Sequence, residues 1–402
     1  MSRLASLFVG VLIAGCSSDP SDDPADWDVD PSVDWKLIVS EPRWVVPSSA
    51  LPSEVKLMPS NNNLDLTYHE GRLFFAWRTA PTHFASSEAR IEVVSSGDDG
   101  ETFVYETSVA LGADAREPRL ISIDDELYFY YFEAGTEFAS FRPKQIWRQK
   151  RISEGEWSPK EPYGERGEVH WDVKVRGELA YMTSYLGNHY GTGTVSVDLR
   201  FVKTQDGENW TPVGRNGPTV YRGGVSEAAF ELDEGGNLWA VTRNEDGDAT
   251  GFGSHVCTAP ASDLGAWECS VKCDPERYDS PEMFRHGDDL FLVGRRDVGG
   301  PYDAGLELPL AEARLRYQAS YWGRPKRTAI YELDRVARKV RHLLDLPSAG
   351  DTSFAEVVRT GAHTFLLANY TSPLDDPDIS WIEGQGSDRG TQIYFVTLTF
   401  TE

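Results

Sequence analysis

The feature that most limits what this chain can fold into is a repeat. Six segments, at 63–78, 117–132, 171–184, 227–243, 281–295 and 353–370, each read as an apolar strand, a polar turn and a second strand rich in Leu, Phe, Tyr or Val. Their starts lie 54, 54, 56, 54 and 72 residues apart. Phe103, Trp157, Trp210 and Trp267 recur at a near-constant distance after the first four starts and are read as packing between units. Units of this length, each with about four short strands, signify propeller blades. Only an insertion around 299–325 breaks the pattern, with a short helix expected at 308–317. The chain ends in an alternating strand at 391–400, and an early strand at 35–46 has no other home. That early strand is expected to complete the last blade and remove the open sheet edges. The expected fold is all-β: a six-bladed β-propeller with four antiparallel strands per blade, filling 35–402 as a single domain.

The 402 residues are 40% hydrophobic and 12% aromatic, enough for a large core. A formal net charge of −25 argues against nucleic acid and anionic membrane surfaces as partners. The N-terminus reads as a targeting segment. Arg3 precedes an apolar run at 4–14 that is too short to span a bilayer. Residues 12–16, Leu-Ile-Ala-Gly-Cys, resemble the lipobox of bacterial lipoproteins. The resemblance implies removal of 1–15, lipidation of Cys16 and stable anchoring by several acyl chains. Residues 16–34 are acidic and Pro-rich and read as a tether. Ser17 after the lipidated cysteine fits sorting to the outer membrane, so the expected location is the bacterial cell envelope, at the outer membrane or cell surface.

Cys257 and Cys269 flank a short turn and could face each other across a hairpin; Cys257–Cys273 is the competing pair. The C-x3-C spacing with no nearby His pair does not favour zinc. No cofactor and no metal requirement is indicated, though Asp297 and Asp303 could hold calcium in a loop. A monomer is expected.

Two turns carry a shared pattern. Residues 96–103 read Ser-Gly-Asp-Asp-Gly-Glu-Thr-Phe and 204–210 read Thr-Gln-Asp-Gly-Glu-Asn-Trp. Asp and Gly supply the local hydrogen bonds and positive φ that a tight hairpin turn needs. Both resemble the Asp-box of sialidases and related propellers. They fall at the same phase of the first and third repeats and mark the turn between the third and fourth strands of a blade.

In a propeller the start of strand A and the end of strand B emerge on the same face. Strand A starts then place Asn63, Asp65, Glu117, Arg119, His170, Asp172, Glu227, Glu282 and Asp351 around one mouth. Strand B ends add Arg78, Arg243, Arg295, Arg296 and Tyr370, and the following loops add His83, Glu88, His189, Tyr190 and Tyr302. Clustered Arg and carboxylates are costly unless paired or solvated. They mark either interblade ion pairs or a pocket for an anionic or polyhydroxylated ligand.

Together these features resemble the sialidase superfamily over roughly residues 50–402. The segment 226–243 is similar to the family motif Glu-Pro-x-x-x-Glu-Leu-x-Asp-Gly-x-Leu followed by Arg. The resemblance implies that Glu227 polarises a tyrosine nucleophile and that Arg243 is one of three arginines holding a substrate carboxylate. The remaining motif positions depart from the family. The first blade reads Asn63-Leu64-Asp65-Leu66 with no Arg, Phe354 stands where the tyrosine is wanted, and Arg295 or Arg296 is the candidate third arginine. The region of the acid Asp offers His83 and Glu88 instead. The expectation is a surface-anchored glycoside hydrolase acting on an extracellular glycan, with Glu227, Glu282 and Asp172 as catalytic carboxylates. Arg78, Arg243, Arg295, Arg119, Glu117, His83 and Tyr370 are the expected substrate contacts. Two carboxylates across the mouth, Glu227 with Glu282 or Glu117 with Asp172, would do the acid–base work. The alternatives are a non-catalytic glycan- or protein-binding propeller and, more weakly, a polysaccharide lyase using His83, His189 and Tyr190.

Overall fold

A computed structural model of the protein describes residues 29–138, 140–191 and 195–402. The expected export signal at 1–15, Cys16 and residues 17–28 of the expected tether lie outside the described residues. Six antiparallel sheets follow the repeat. Strands A and B are Ser60–His69 and Arg72–Ala80 in blade one, Asp114–Ile123 and Glu126–Ala134 in blade two, and Val169–Arg176 and Leu179–Gly187 in blade three. They are Ala228–Leu232 and Leu238–Thr242 in blade four, Asp279–His286 and Asp289–Asp297 in blade five, and Thr352–Gly361 and Thr364–Thr371 in blade six. Each strand A touches strand A of the next blade, and blade six returns to blade one, so the ring is closed. We call the face where strand A begins the upper face and the face of the A–B turns the lower face.

The ring closes as the early strand requires. Lys36–Val39 and Arg43–Val46 both pair antiparallel with the C-terminal strand Gln392–Thr401. The N-terminal segment reaches this position across the lower face. Val29 packs against Gly287 in the A–B turn of blade five, and Trp35 stacks on His363 in that of blade six.

The apolar core lies between blades. Phe75 and Trp77 of blade one meet Val358, Leu366 and Phe395 of blade six, and equivalent clusters fill the other interfaces. Phe103, Trp157, Trp210 and Trp267 each join one of these clusters. The two Asp/Gly turns connect strands C and D on the lower face. In the first, Asp98 accepts from the Thr102 amide (2.8 Å) and hydroxyl (2.7 Å), while Ser96 Oγ accepts from the Gly100 amide (2.8 Å). These bonds hold the Asp98 carboxyl down at about 2. In the second, Asp206 accepts from the Asn209 amide and side chain, both at 2.7 Å. Gly207 is required there: its φ is +67° and a Cβ would lie 2.4 Å from the Tyr128 ring.

Cys257 and Cys269 face each other across strands C and D of blade four and form a disulfide, leaving Cys273 as the free thiol. The insertion in blade five carries helix α1, Leu310–Trp322, longer than expected at its C-terminal end. A second helix, α2 at Trp381–Gly386, was not apparent from the repeat; Ser380 and Glu383 form a capping box at its start. A small extra sheet pairs Asn244–Asp248 with Gly251–Gly253.

Candidate functional site

The upper end of strand A is bulged in five blades. Pairing slips between Asn62 and Leu64, Arg116 and Arg119, His170 and Val173, Asp279 and Glu282, and Ser353 and Glu356. In four of these the bulge holds a non-glycine residue at positive φ: Asn63 (48°), Glu117 (47°), Ser280 (49°) and Phe354 (52°). A bulge inserts one unpaired residue and re-aims the side chains around it. Backbone held in this region is strained and gathers at functional sites. Here it splits the strand A residues into two groups. Glu117, Asp279 and Phe354 stand at the upper face. Asp65, Arg119, Glu282 and Glu356, each two residues beyond a positive-φ position, reach the axial channel below.

The channel closes on itself. Lys174 donates to Asp172 (2.8 Å) and Glu282 (2.5 Å), and Arg119 pairs with Asp65 (3.2 Å) and Glu356 (3.9 Å). Burial, reinforced by the crowding of Glu356, drives the Glu282 carboxyl well above its usual range, and Asp65 is raised to about 7 mainly by burial. Trp171 floors the region above. Its indole N–H reaches across the axis to the Pro281 carbonyl (3.1 Å), and its ring lies 5.2 Å from Phe354. The expectation that Asp172, Glu282, Arg119 and Asp65 share one mouth with Glu227 is therefore corrected: the bulges aim them under this floor. A Glu227–Glu282 or Glu117–Asp172 pair does not assemble in the upper cavity.

The upper face carries a cavity of about 530 Å³. Of the expected contacts, His83, Glu117, Glu227, Arg243 and Arg295 line it, as do His189 and Tyr190. Arg78 does not. It is fully buried and donates through Nε (3.1 Å) and Nη2 (2.7 Å) to Asp114, with a further bond from Nη2 to the Phe84 carbonyl (3.0 Å). Arg116 takes the place in the wall, donating to Asp114 (2.5 Å) and to the His83 carbonyl (2.6 Å). Tyr370 is also buried away from the cavity, donating to Asp351 (3.0 Å). Arg296 pairs with Asp345 (2.5 Å) at the outside, and Asp297 pairs with Arg324 (2.6 Å). The Tyr302 hydroxyl bonds the Glu245 carbonyl (3.0 Å) beneath α1.

Glu227 sits at the head of blade four. Its Oε1 pairs with Arg243 (2.7 Å) and its Oε2 accepts from the Ser280 amide (3.0 Å). Burial dominates over the Arg243 charge, and with Asp279 and Glu245 nearby the carboxyl is raised to about 8. It therefore holds a proton to higher pH than an exposed glutamate does. Glu117 accepts from the Asn63 side chain (2.8 Å) and is also raised, chiefly by burial. Burial lowers His83, which bonds Asp351 (2.8 Å). Burial opposes the charge on His189, but Asp246 (2.5 Å) and Glu245 (3.0 Å) outweigh it and raise the imidazole.

The arginines converge on a residue that the repeat did not single out. Asp279 Oδ1 accepts from Arg243 (2.8 Å), and its Oδ2 accepts from Arg295 (2.6 Å), Arg277 (3.0 Å) and the Tyr321 hydroxyl (2.8 Å). Burial opposes ionisation, but Arg277, Arg295 and Arg243 hold the Asp279 carboxyl well below its usual range. Aromatic walls complete the cavity. Phe138 is 62% exposed at the rim and packs against Phe84 with ring centroids 4.3 Å apart, while Trp322 at the end of α1 and Trp381 at the start of α2 also line the cavity. Tyr185, from strand B of blade three, adds a hydroxyl to the wall. Phe84, Phe138, Trp322 and Trp381 lie outside the paired inner strands, so the repeat gave no signal for them.

No protein-family model matches the chain, and no curated protein matches its sequence. Solved structures do match. A protein of unknown function from Dyadobacter fermentans superposes with a TM-score of 0.56 at 12% identity, covering 85% of this chain and 95% of the other. The phage phi92 endosialidase gives 0.53 at 12% identity, covering 87% and 68%. The Trypanosoma rangeli sialidase in complex with the inhibitor DANA gives 0.53 at 13% identity, covering 84% of this chain but only 55% of that enzyme. At these identities the likeness establishes the fold, a six-bladed β-propeller whose structural neighbours include sialidases.

Proposed function

We propose that the upper cavity receives a carbohydrate and that the protein is a sialidase-like glycoside hydrolase. One observation carries this reading: Glu227 is a buried carboxyl at the wall of an aromatic-lined cavity, and burial there favours its protonated form. A protonated carboxyl can give its proton to the glycosidic oxygen as the bond to the leaving group breaks. Glu117, on blade two, supplies the second carboxylate. The aromatic walls suit the apolar faces of sugar rings, and a few convergent polar groups fix their orientation. Incubating the purified protein with a broad panel of aryl-glycosides and polysaccharides tests this. Release of aglycone or reducing ends is expected; no cleavage anywhere in the panel would remove hydrolysis from the reading. Binding without cleavage is the second reading. It is favoured by the closure of Arg243 and Arg295 on an internal carboxylate rather than on open solvent.

The site of action is proposed to be the cell envelope, through lipid on Cys16, and the substrate an extracellular glycan. The lipobox-like residues 12–16 and the acidic tether support this. Cells expressing the full chain should incorporate labelled palmitate into it, and Cys16→Ser should abolish that label. Persistence of the label in the variant would overturn the assignment.

A further inference from the structure

Asp279 does what a ligand's carboxylate would do. The three guanidinium groups of Arg243, Arg277 and Arg295 point at one place at the head of blade five, and a fully buried protein carboxylate already occupies it. Both of its oxygens are engaged, Oδ1 by one arginine and Oδ2 by two arginines and a tyrosine hydroxyl. Arg243 is further committed to Glu227 (2.7 Å) and Glu245 (2.8 Å), and Arg277 to Glu245 (2.6 Å). Arg116, the remaining arginine of the wall, is spent on Asp114 and a carbonyl. What stays unpartnered is small. Nη2 of Arg295, Nε2 of Gln318 and Nε1 of Trp381 are buried at the cavity with no hydrogen-bond partner among the described residues. Three separate N–H donors match hydroxyl or carbonyl oxygens. They do not make the paired fork that grips a carboxylate, which needs two parallel N–H bonds from one guanidinium.

We propose that Asp279 is a built-in occupant of the anion seat, and that the cavity therefore selects an uncharged, polyhydroxylated sugar over one bearing a carboxylate. The proposal rests on the carbohydrate reading of the cavity and adds its substrate class. The physical reason is a difference between ligands. A neutral sugar can use the three free donors and the aromatic walls. An acidic sugar would have to bring a second carboxylate beside ionised Asp279, whose two oxygens already take N–H groups of all three arginines, and like charges placed together in a water-poor site are strongly disfavoured.

Two measurements test it. In the first, the wild-type protein is applied to a glycan array carrying neutral oligosaccharides beside matched uronic- and sialic-acid-bearing ones. Binding confined to the neutral set, with at least a tenfold preference over acidic partners, is expected. Preferential binding of acidic glycans overturns the proposal. In the second, thermal melting of wild-type protein and Asp279→Ala is followed in sodium acetate, sodium chloride and acetamide at equal concentration. The emptied seat should take up acetate, so the Tm of Asp279→Ala rises by about 1–3 °C in acetate but not in chloride or acetamide, while the wild type does not respond. An acetate response in the wild type, or none in a folded Asp279→Ala, overturns the occupied-seat assignment. If the variant does not fold, the array decides alone. The two failures are distinguishable: acetate uptake by the variant with no glycan bound by the wild type upholds the seat and removes the carbohydrate reading.

Discussion

Glu227→Gln should lower glycoside turnover by about 10²- to 10⁴-fold, the usual contribution of a positioned general acid, with little loss of folded protein. Glutamine keeps the shape of the side chain, and its one amide oxygen can still accept from Arg243 or from the Ser280 amide, but it has no acidic proton to give. Arg243 keeps two other carboxylates, Glu245 and Asp279, each at 2.8 Å, so the substitution leaves no unpaired buried charge. The pH dependence carries the same signature. Glu227 is protonated below about 8 in the folded protein, so the rate should fall as pH rises through that value. The stability sign follows from the same shift. The folded state keeps a proton that an unfolded chain releases near 4.5, so this residue makes stability fall as pH rises between those two values. Glu227→Gln should flatten both curves. Hydrolysis retained at the wild-type rate, with an unchanged alkaline limb, would remove Glu227 from the acid role.

Asp114→Ala should destabilise the protein by about 3–5 kcal/mol because it strands buried charge. Asp114 is fully buried and accepts from Arg78 through Oδ1 and from Arg116 through Oδ2. Removing it leaves Arg78, itself fully buried, with only neutral partners. Those partners include the carbonyls of Thr82 and Phe84, so the loop that carries His83 into the cavity wall should loosen too. Urea unfolding of both proteins measures the effect. Replacing Arg78 and Asp114 together by apolar residues of similar volume should cost less than Asp114→Ala alone, since neither charge is then stranded. A loss under about 1 kcal/mol for Asp114→Ala would mean that the arginines find water or other partners.

The propeller was legible because a blade is one supersecondary unit repeated, and its spacing survives changes in side chains. The inner strand pairs of all six blades and the closing strands follow from that phase, whereas the choice between Cys269 and Cys273 as the partner of Cys257 needed the structure. The extra sheet at Asn244–Asp248 and helix α2 occur once each, so no period could reveal them. The cavity was legible only in part, for a geometric reason. Side chains along a strand alternate at a period of two, and one inserted residue reverses that alternation. Asn63, Glu117, Ser280 and Phe354 mark such insertions, yet none is a glycine and none looks like a bulge in sequence. The expected mouth thus merged two sets of residues that Trp171 and Phe354 keep apart. Arg78 and Arg116 show a second limit. Both belong to strands of the repeat, but which arginine is spent inside the blades and which reaches the wall depends on where Asp114 points. Asp279 was passed over because its value lies in its neighbours, and three of those come from other strands or from α1.

The N-terminal segment has a consequence for which way the molecule faces. Val29 and Trp35 run across the A–B turns before the chain climbs to complete blade six, so the chain enters the described fold at residue 29 on the side away from the cavity. An attachment made at residue 29 should therefore leave the opening free for long chains or free molecules arriving from the medium.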